Sequence, residues 1–201
     1  MTWEVLSMIG TVAFAVSGAI TAMEEEYDIL GIYILGIVTA FGGGAIRNLL
    51  IGVPVSALWG QGVFFQIALL SMTAVILFPN NLFRHWQRWG NLFDAIGLSA
   101  FAIQGALYAS KMNHPLSAVI VAAVLTGIGG GIIRDLLAGR KPTVLKSEIY
   151  AVWAIVAGAA IGLHLASTPV ELYCLFVLIT TMRVFSYSYD WKLPIRRLSE
   201  S

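Results

Sequence analysis

The sequence predicts an all-α polytopic membrane protein: seven transmembrane helices, forming two inverted three-helix repeats plus a seventh helix. Three observations lead there. Of 201 residues, 58% are hydrophobic and only 11% charged, with a mean hydropathy of +0.82; a soluble domain carries about 25% charged residues. The apolar residues gather into seven runs, each of roughly 17–25 residues, the length needed to cross about 30 Å of hydrocarbon. And the chain contains one unusual stretch twice, 87 positions apart.

The predicted spans are 4–22, 29–50, 61–79, 91–110, 115–137, 148–166 and 169–187. The Met1-Thr2-Trp3-Glu4 start has no basic region ahead of the first apolar run, so that run reads as a retained helix rather than a signal peptide. Glu24-Glu25-Glu26-Tyr27-Asp28 links spans one and two, and Gly52-Val53-Pro54 follows span two. The 80–90 segment, with Arg84 and Arg88, links spans three and four; Lys111 to His114 links four and five; Gly139-Arg140-Lys141-Pro142 follows span five. The whole of 1–201 is read as one membrane domain, with repeat one at about 4–79 and repeat two at about 91–166. Seven long apolar runs are helices, since barrel strands are alternating segments of about ten residues.

The repeat is direct. Residues 9–58 laid on 96–145 without a gap give eighteen identities in fifty pairs. The matched pairs include Gly10/Gly97, Phe14/Phe101, Gly18/Gly105, Thr39/Thr126, Arg47/Arg134 and Gly52/Gly139. Each unit has three spans, an odd number, so the second enters the bilayer upside down, as in many transporters.

At the heart of each unit is a glycine triplet followed by an arginine: Gly42-Gly43-Gly44 with Arg47-Asn48, and Gly129-Gly130-Gly131 with Arg134-Asp135. Three consecutive glycines point around the whole helix and so mark a place to bend or to break the hydrogen-bond ladder. Interrupted helices at matching positions of two repeats point to a translocation site. An ionisable residue within a span is a functional candidate. The candidate pore or gate residues are therefore Arg47, Asn48, Arg134, Asp135, Thr39 and Thr126, with the six glycines as helix kinks. Two readings of the arginines stay open: they face a water-filled path, or they snorkel at opposite interfaces. If kinks bring the halves together, Arg47 would meet Asp135 and Arg134 would meet Asn48. Neighbours such as Arg134 and Asp135 are not expected to face each other on a helix.

The remaining polar residues carry less. Asp94 begins span four and reads as a surface cap, and Cys174, alone in an apolar run, reads as a small apolar filler. Trp59, Trp86, Trp89 and Trp191 lie near span ends and fit an interfacial belt. His85, His114 and His164 make no metal-ligand spacing, so no metal or cofactor is expected. No nucleophile–base set argues for an enzyme, and a net charge of +1 points to no nucleic-acid partner. Basic residues set the orientation. With the N-terminus outside, Arg84, Arg88, Arg140, Lys141, Lys146, Lys192, Arg196 and Arg197 fall inside, against Lys111 outside, joined by Arg47 if it reaches the surface. The prediction is N-out, C-in, with membrane lipids as surroundings.

On the two glycine–arginine segments the sequence resembles the prokaryotic TRIC-type channels, relatives of the trimeric intracellular cation channels. The same sequence type also carries the name of a glycine-transporter family. The resemblance covers nearly the whole chain. It implies a symmetric homotrimer in a prokaryotic inner membrane, with one pore per protomer lined by helices two and five kinked at the triplets. It implies conduction of potassium and other monovalent cations. Asn48 departs from the acidic pattern of Asp135. Two arginines and one aspartate are an unusual lining for a cation path, where Asp or Glu rings are the usual device. The alternative is a secondary transporter of a small zwitterion such as glycine. A membrane scaffold without transport is the third class; it predicts tolerance of Gly43→Ala.

Overall fold

The computed structural model describes residues 2–78, 86–146 and 149–191, without the side chains of 86–88 and 146. Arg84, Lys192, Arg196 and Arg197, which weigh in the predicted orientation, and His85 lie outside the described residues, as do the side chains of Trp86, Arg88 and Lys146. Seven longer helices carry the fold. They are α1 (Thr2–Glu24), α2 (Ile29–Leu50), α3 (Gly62–Leu77), α4 (Trp86–Lys111), α5 (Leu116–Leu137), α6 (Tyr150–Gly162) and α7 (Pro169–Ser188). A 3-10 helix, Val55–Gln61, leads into α3, and a single turn, Thr143–Lys146, precedes α6.

Local sequence sets the ends. Asp28 caps α2 by accepting from the Gly31 amide at 2.7 Å, satisfying an orphan donor of the first turn. Thr168 and Glu171 form a capping box on α7, with Pro169 at its first turn. Gly52 and Gly139 follow α2 and α5 in the left-handed region, at φ 76° and 69°, where a glycine closes a helix without Cβ strain. Glu26 and Asn113, also 87 apart, share that conformation at φ 57° and 58°. The repeat thus extends to turn geometry at positions where the residues differ.

Span six is shorter than expected. The run 148–166 gives only 13 helical residues, about 20 Å at 1.5 Å per residue, because the chain turns out at His164, φ 58°. Span four is longer, beginning at Trp86. Cys174 faces outward on α7 and fills no space in the core.

The two halves are inverted. Tyr27, in the α1–α2 turn, donates its hydroxyl to the Leu137 carbonyl at the end of α5, at 2.7 Å. Its counterpart His114, in the α4–α5 turn, lies 3.3 Å from the Ile51 carbonyl at the end of α2. Each turn therefore meets the C-terminal end of the other half's middle helix, and α2 and α5 run antiparallel. Two apolar clusters follow the repeats. One holds Phe14, Ala19, Leu35 and Met72; the other holds Leu98, Ile103, Ala123 and Ala157. Each borrows from the other half: Phe101 and Ala138 sit in the first, Leu6 and Ile51 in the second. α1 and α4 are the most enclosed helices, while α3 and α7 leave most of their surface outward.

Candidate functional site

The site begins where α2 and α5 cross. Both helices continue unbroken through their triplets, so the glycines do not interrupt the ladder. They allow the backbones to touch. A methyl group on Gly43 would lie 2.5 Å from the Thr126 carbonyl oxygen, and one on Gly130 would collide with the Thr39 carbonyl. The middle glycine of each triplet is thus fixed by the crossing. Gly129 packs against the Gly43 backbone. Gly42 meets the mobile end of Ile133, and Gly44 has ordinary clearance, with its nearest neighbour at 3.8 Å. Thr39 and Thr126 are buried, and each donates its hydroxyl to the carbonyl four residues earlier, Leu35 at 2.6 Å and Ala122 at 2.5 Å. Such back-bonding satisfies the hydroxyl at membrane depth and tends to bend a helix.

Arg47 and Arg134 stand four residues beyond Gly43 and Gly130 on antiparallel helices. They therefore lie on opposite sides of the crossing, each about 6 Å along its helix. This corrects the expected pairing: Arg47 does not meet Asp135, nor Arg134 Asn48. Both arginines are instead buried, at 2% and 6% exposure, and each folds back onto the residue that follows it. The expectation that neighbours cannot face each other fails because the long arginine side chain reaches across the 100° between successive positions.

Arg134 is held by carboxylates. Its Nε donates to Asp135 Oδ1 at 2.9 Å and its Nη2 approaches the same oxygen at 2.7 Å. Its Nη1 donates to Asp94 Oδ1 at 2.9 Å and to Ser17 Oγ at 2.5 Å. Asp135 Oδ2 accepts from the Thr143 amide and hydroxyl at 2.9 and 3.0 Å. Asp94 Oδ2 accepts from Tyr150 Oη at 2.5 Å, and the Arg183 guanidinium of α7 lies 4.2 Å from the Tyr150 ring centre. Asp94 is 3% exposed; it is a buried partner and not the surface cap expected of it.

Arg47 repeats this geometry with neutral groups. Its Nε and Nη2 donate to Asn48 Oδ1 at 3.1 and 2.8 Å, and its Nη1 reaches Gln104 Oε1 at 3.4 Å. Gln104 in turn donates to Ser7 Oγ at 2.5 Å. The Tyr108 ring covers the guanidinium at 4.5 Å. In the 87-residue register Ser7 corresponds to Asp94, Asn48 to Asp135 and Gln104 to Ser17. A cavity of about 20 Å³ adjoins Arg47, lined also by Ser7, Thr11, Gly44, Gln104 and Thr126. Of the predicted pore residues it gathers Arg47 and Thr126, while Arg134 and Asp135 lie in the other cluster.

Asp94, Gln104, Tyr108, Tyr150 and Arg183 were not among the sequence candidates. Asp94 had a readable signal: an acid inside a long apolar helix, in register with Ser7 just before the aligned window. Arg183 had one as well, as a charge within the seventh span.

A sequence model of the family described as "Glycine transporter" matches residues 4–80 and again 91–166, dividing the chain at the same repeat boundary. UPF0126 membrane protein YvgT of Bacillus subtilis is 74% identical over 98% of this chain and 97% of its own length. A solved prokaryotic TRIC channel, crystallised in 0.5 M KCl, superposes with a TM-score of 0.87 at 30% identity, over 95% of this chain and 98% of its own. The TRIC trimeric intracellular cation channel orthologue from Rhodobacter sphaeroides gives 0.83 at 32% identity, over 93% and 97%. With both halves matched, near-complete coverage and a common fold, the chain belongs to the UPF0126 glycine-transporter family, of the prokaryotic TRIC type.

Proposed function

We propose that the chain is a homotrimeric channel for monovalent cations, potassium among them, with one permeation path in each protomer between α2 and α5. The observation that carries this reading is the tight α2–α5 crossing at Gly43 and Gly130 with a buried arginine on either side, in a fold closely similar to proteins described as cation channels. Thr39, Arg47 and Asn48 with Thr126, Arg134 and Asp135 are its gate and lining, and the two triplets are where α2 and α5 pivot. Residues 1–201 act as a single membrane domain.

A guanidinium in a cation path is a barrier, so the structure corresponds to a closed conformation on this reading. Conduction requires Arg47 to swing from Asn48 and Gln104 or to be screened. Gly44, where the nearest neighbour of an added methyl group is 3.8 Å away, leaves room beside it for such a movement. The helical bundle suits a prokaryotic inner membrane, since the spanning proteins of the outer membrane are barrels. Oriented N-out and C-in, the chain places Arg140, Glu24 and Glu25 on the cytoplasmic side, and lipids surround the outward faces of α3 and α7. No chemical conversion is part of this reading.

The zwitterion carrier is less well supported. Such a carrier needs a cation and a carboxylate facing one cavity. Arg47 and Asp135 are on opposite sides of the crossing, and the lining of the Arg47 cavity contains no acid.

Single-channel recording of the purified protein in a planar bilayer under a potassium gradient tests the proposal. The expected result is discrete steps reversing near the potassium potential, with gating altered by Arg47→Gln. A silent bilayer with saturable glycine uptake in matched proteoliposomes would overturn it.

A further inference from the structure

We propose that the cavity beside Arg47 binds one small monovalent anion of halide size, supplying the counter-charge that the other half of the molecule builds from carboxylates. This goes beyond the channel reading and does not depend on it.

Arginine keeps its proton in proteins, and a buried cation at membrane depth is costly unless it is paired. At Arg134 the pairing is complete, with two carboxylates within 3 Å. At Arg47 the corresponding positions are Ser7 and Asn48, and the contacts are an amide oxygen at 2.8 Å, a second at 3.4 Å and a tyrosine face. Among the described residues no carboxylate pairs with it. The partial negative charge at a helix C-terminus favours a cation, but α2 and α5 present that equally to their arginines, so it does not make up the difference. A tyrosine face offsets only part of a charge.

The unpaired cation is 2% exposed and faces a cavity of about 20 Å³. A guanidinium has five N–H donors, of which three are directed at Asn48 and Gln104. Thr11 and Gln61 also line this space, and a hydroxyl and a side-chain amide can both donate. An occupant that only accepts hydrogen bonds and carries a negative charge is the chemical complement of this lining. The volume admits one water or an ion not much larger and excludes an amino acid.

The test uses the full-length protein in detergent. Crystals grown in potassium bromide should give an anomalous peak in the Arg47 cavity. The thermal midpoint should rise in potassium chloride or bromide relative to potassium gluconate at equal ionic strength, by a few degrees per tenfold of halide above its Kd. Asn48→Asp supplies the carboxylate that the second repeat carries at Asp135; it should abolish both the peak and the halide-dependent rise. If that variant does not fold, Ser7→Asp serves instead. A cavity holding only water in bromide, a midpoint indifferent to the anion, or a carboxylate variant keeping the full halide effect would each overturn the proposal. Absence of potassium flux in every salt would defeat the channel reading and leave these readouts unaffected.

Discussion

The two arginine clusters are copies in geometry and opposites in electrostatics. In each, the guanidinium folds onto the next residue, takes a second partner from one helix and reaches toward a third. Around Arg134 the partners are Asp135, Ser17 and Asp94; around Arg47 they are Asn48, Gln104 and, through it, Ser7. The Arg134 cluster sets one guanidinium against two carboxylates, with Arg183 stacked on Tyr150 beside it. The second has one cation and neutral dipoles. An ion cluster tied by charge-assisted hydrogen bonds resists rearrangement, because removing one member strands the others in a poor dielectric. An arginine held by amides can leave at lower cost. On the proposed reading the Arg134 side is therefore the anchor and the Arg47 side the movable part.

The sharpest way to break this contrast is to strip the anchor. Asp94→Asn keeps the shape and removes one charge; it should lower stability by about 3–5 kcal/mol. Ser7→Ala, at the matching position of the other cluster, should cost about 1 kcal/mol. Thermal unfolding in matched detergent compares the two, and equal losses would mean that the clusters do not differ in kind. Tyr150→Phe, which removes one bond to a carboxylate, should cost about 1.5–3 kcal/mol, and Asn48→Ala somewhat less. Gly43→Ala tests the crossing between them. Overpacking there should cost about 1–3 kcal/mol, while Gly44→Ala should fall within about 0.5 kcal/mol. Parity of the two glycine variants in unfolding and in potassium flux would remove the crossing as the dividing point. A small effect also belongs to the surface. Arg140 pairs with Glu24 at 2.8 Å and with Glu25 at 2.5 Å, but these groups are partly exposed, so Arg140→Ala should cost at most about 1 kcal/mol. That loss should shrink further in high salt.

Much of this was legible in the sequence because it rests on period and composition. The apolar runs located the helices, the 87-residue register gave the inversion, and the triplets marked where α2 and α5 meet, although as a contact between unbroken helices and not as the expected kinks. The partners of the arginines were not legible, for two physical reasons. Helical spacing speaks for short side chains, whereas Arg134 bends far enough to bond its own neighbour. Identity between repeats also draws attention to what is shared, while the electrostatic difference lies in the unshared pairs: Ser7 with Asp94, Asn48 with Asp135. Sequence spacing places Gly43 and Gly44 on the face of Arg47 but does not say which glycine meets the other helix. Packing distinguishes them, since only Gly43 and Gly130 point at a carbonyl of the crossing helix.

The unshared pairs also bear on ancestry. A protein with two inverted halves invites the picture of a single three-helix unit that once assembled with its own copy. The present halves are no longer interchangeable at their arginine centres. Two copies of the first would bury two arginines among serines and asparagines with no acid at either centre. Two copies of the second would set four aspartates against two arginines. Each half now supplies a neutral hydrogen-bond partner to the other's arginine, Ser17 to Arg134 and Gln104 to Arg47, so a gene cut at the repeat boundary would yield pieces that need each other.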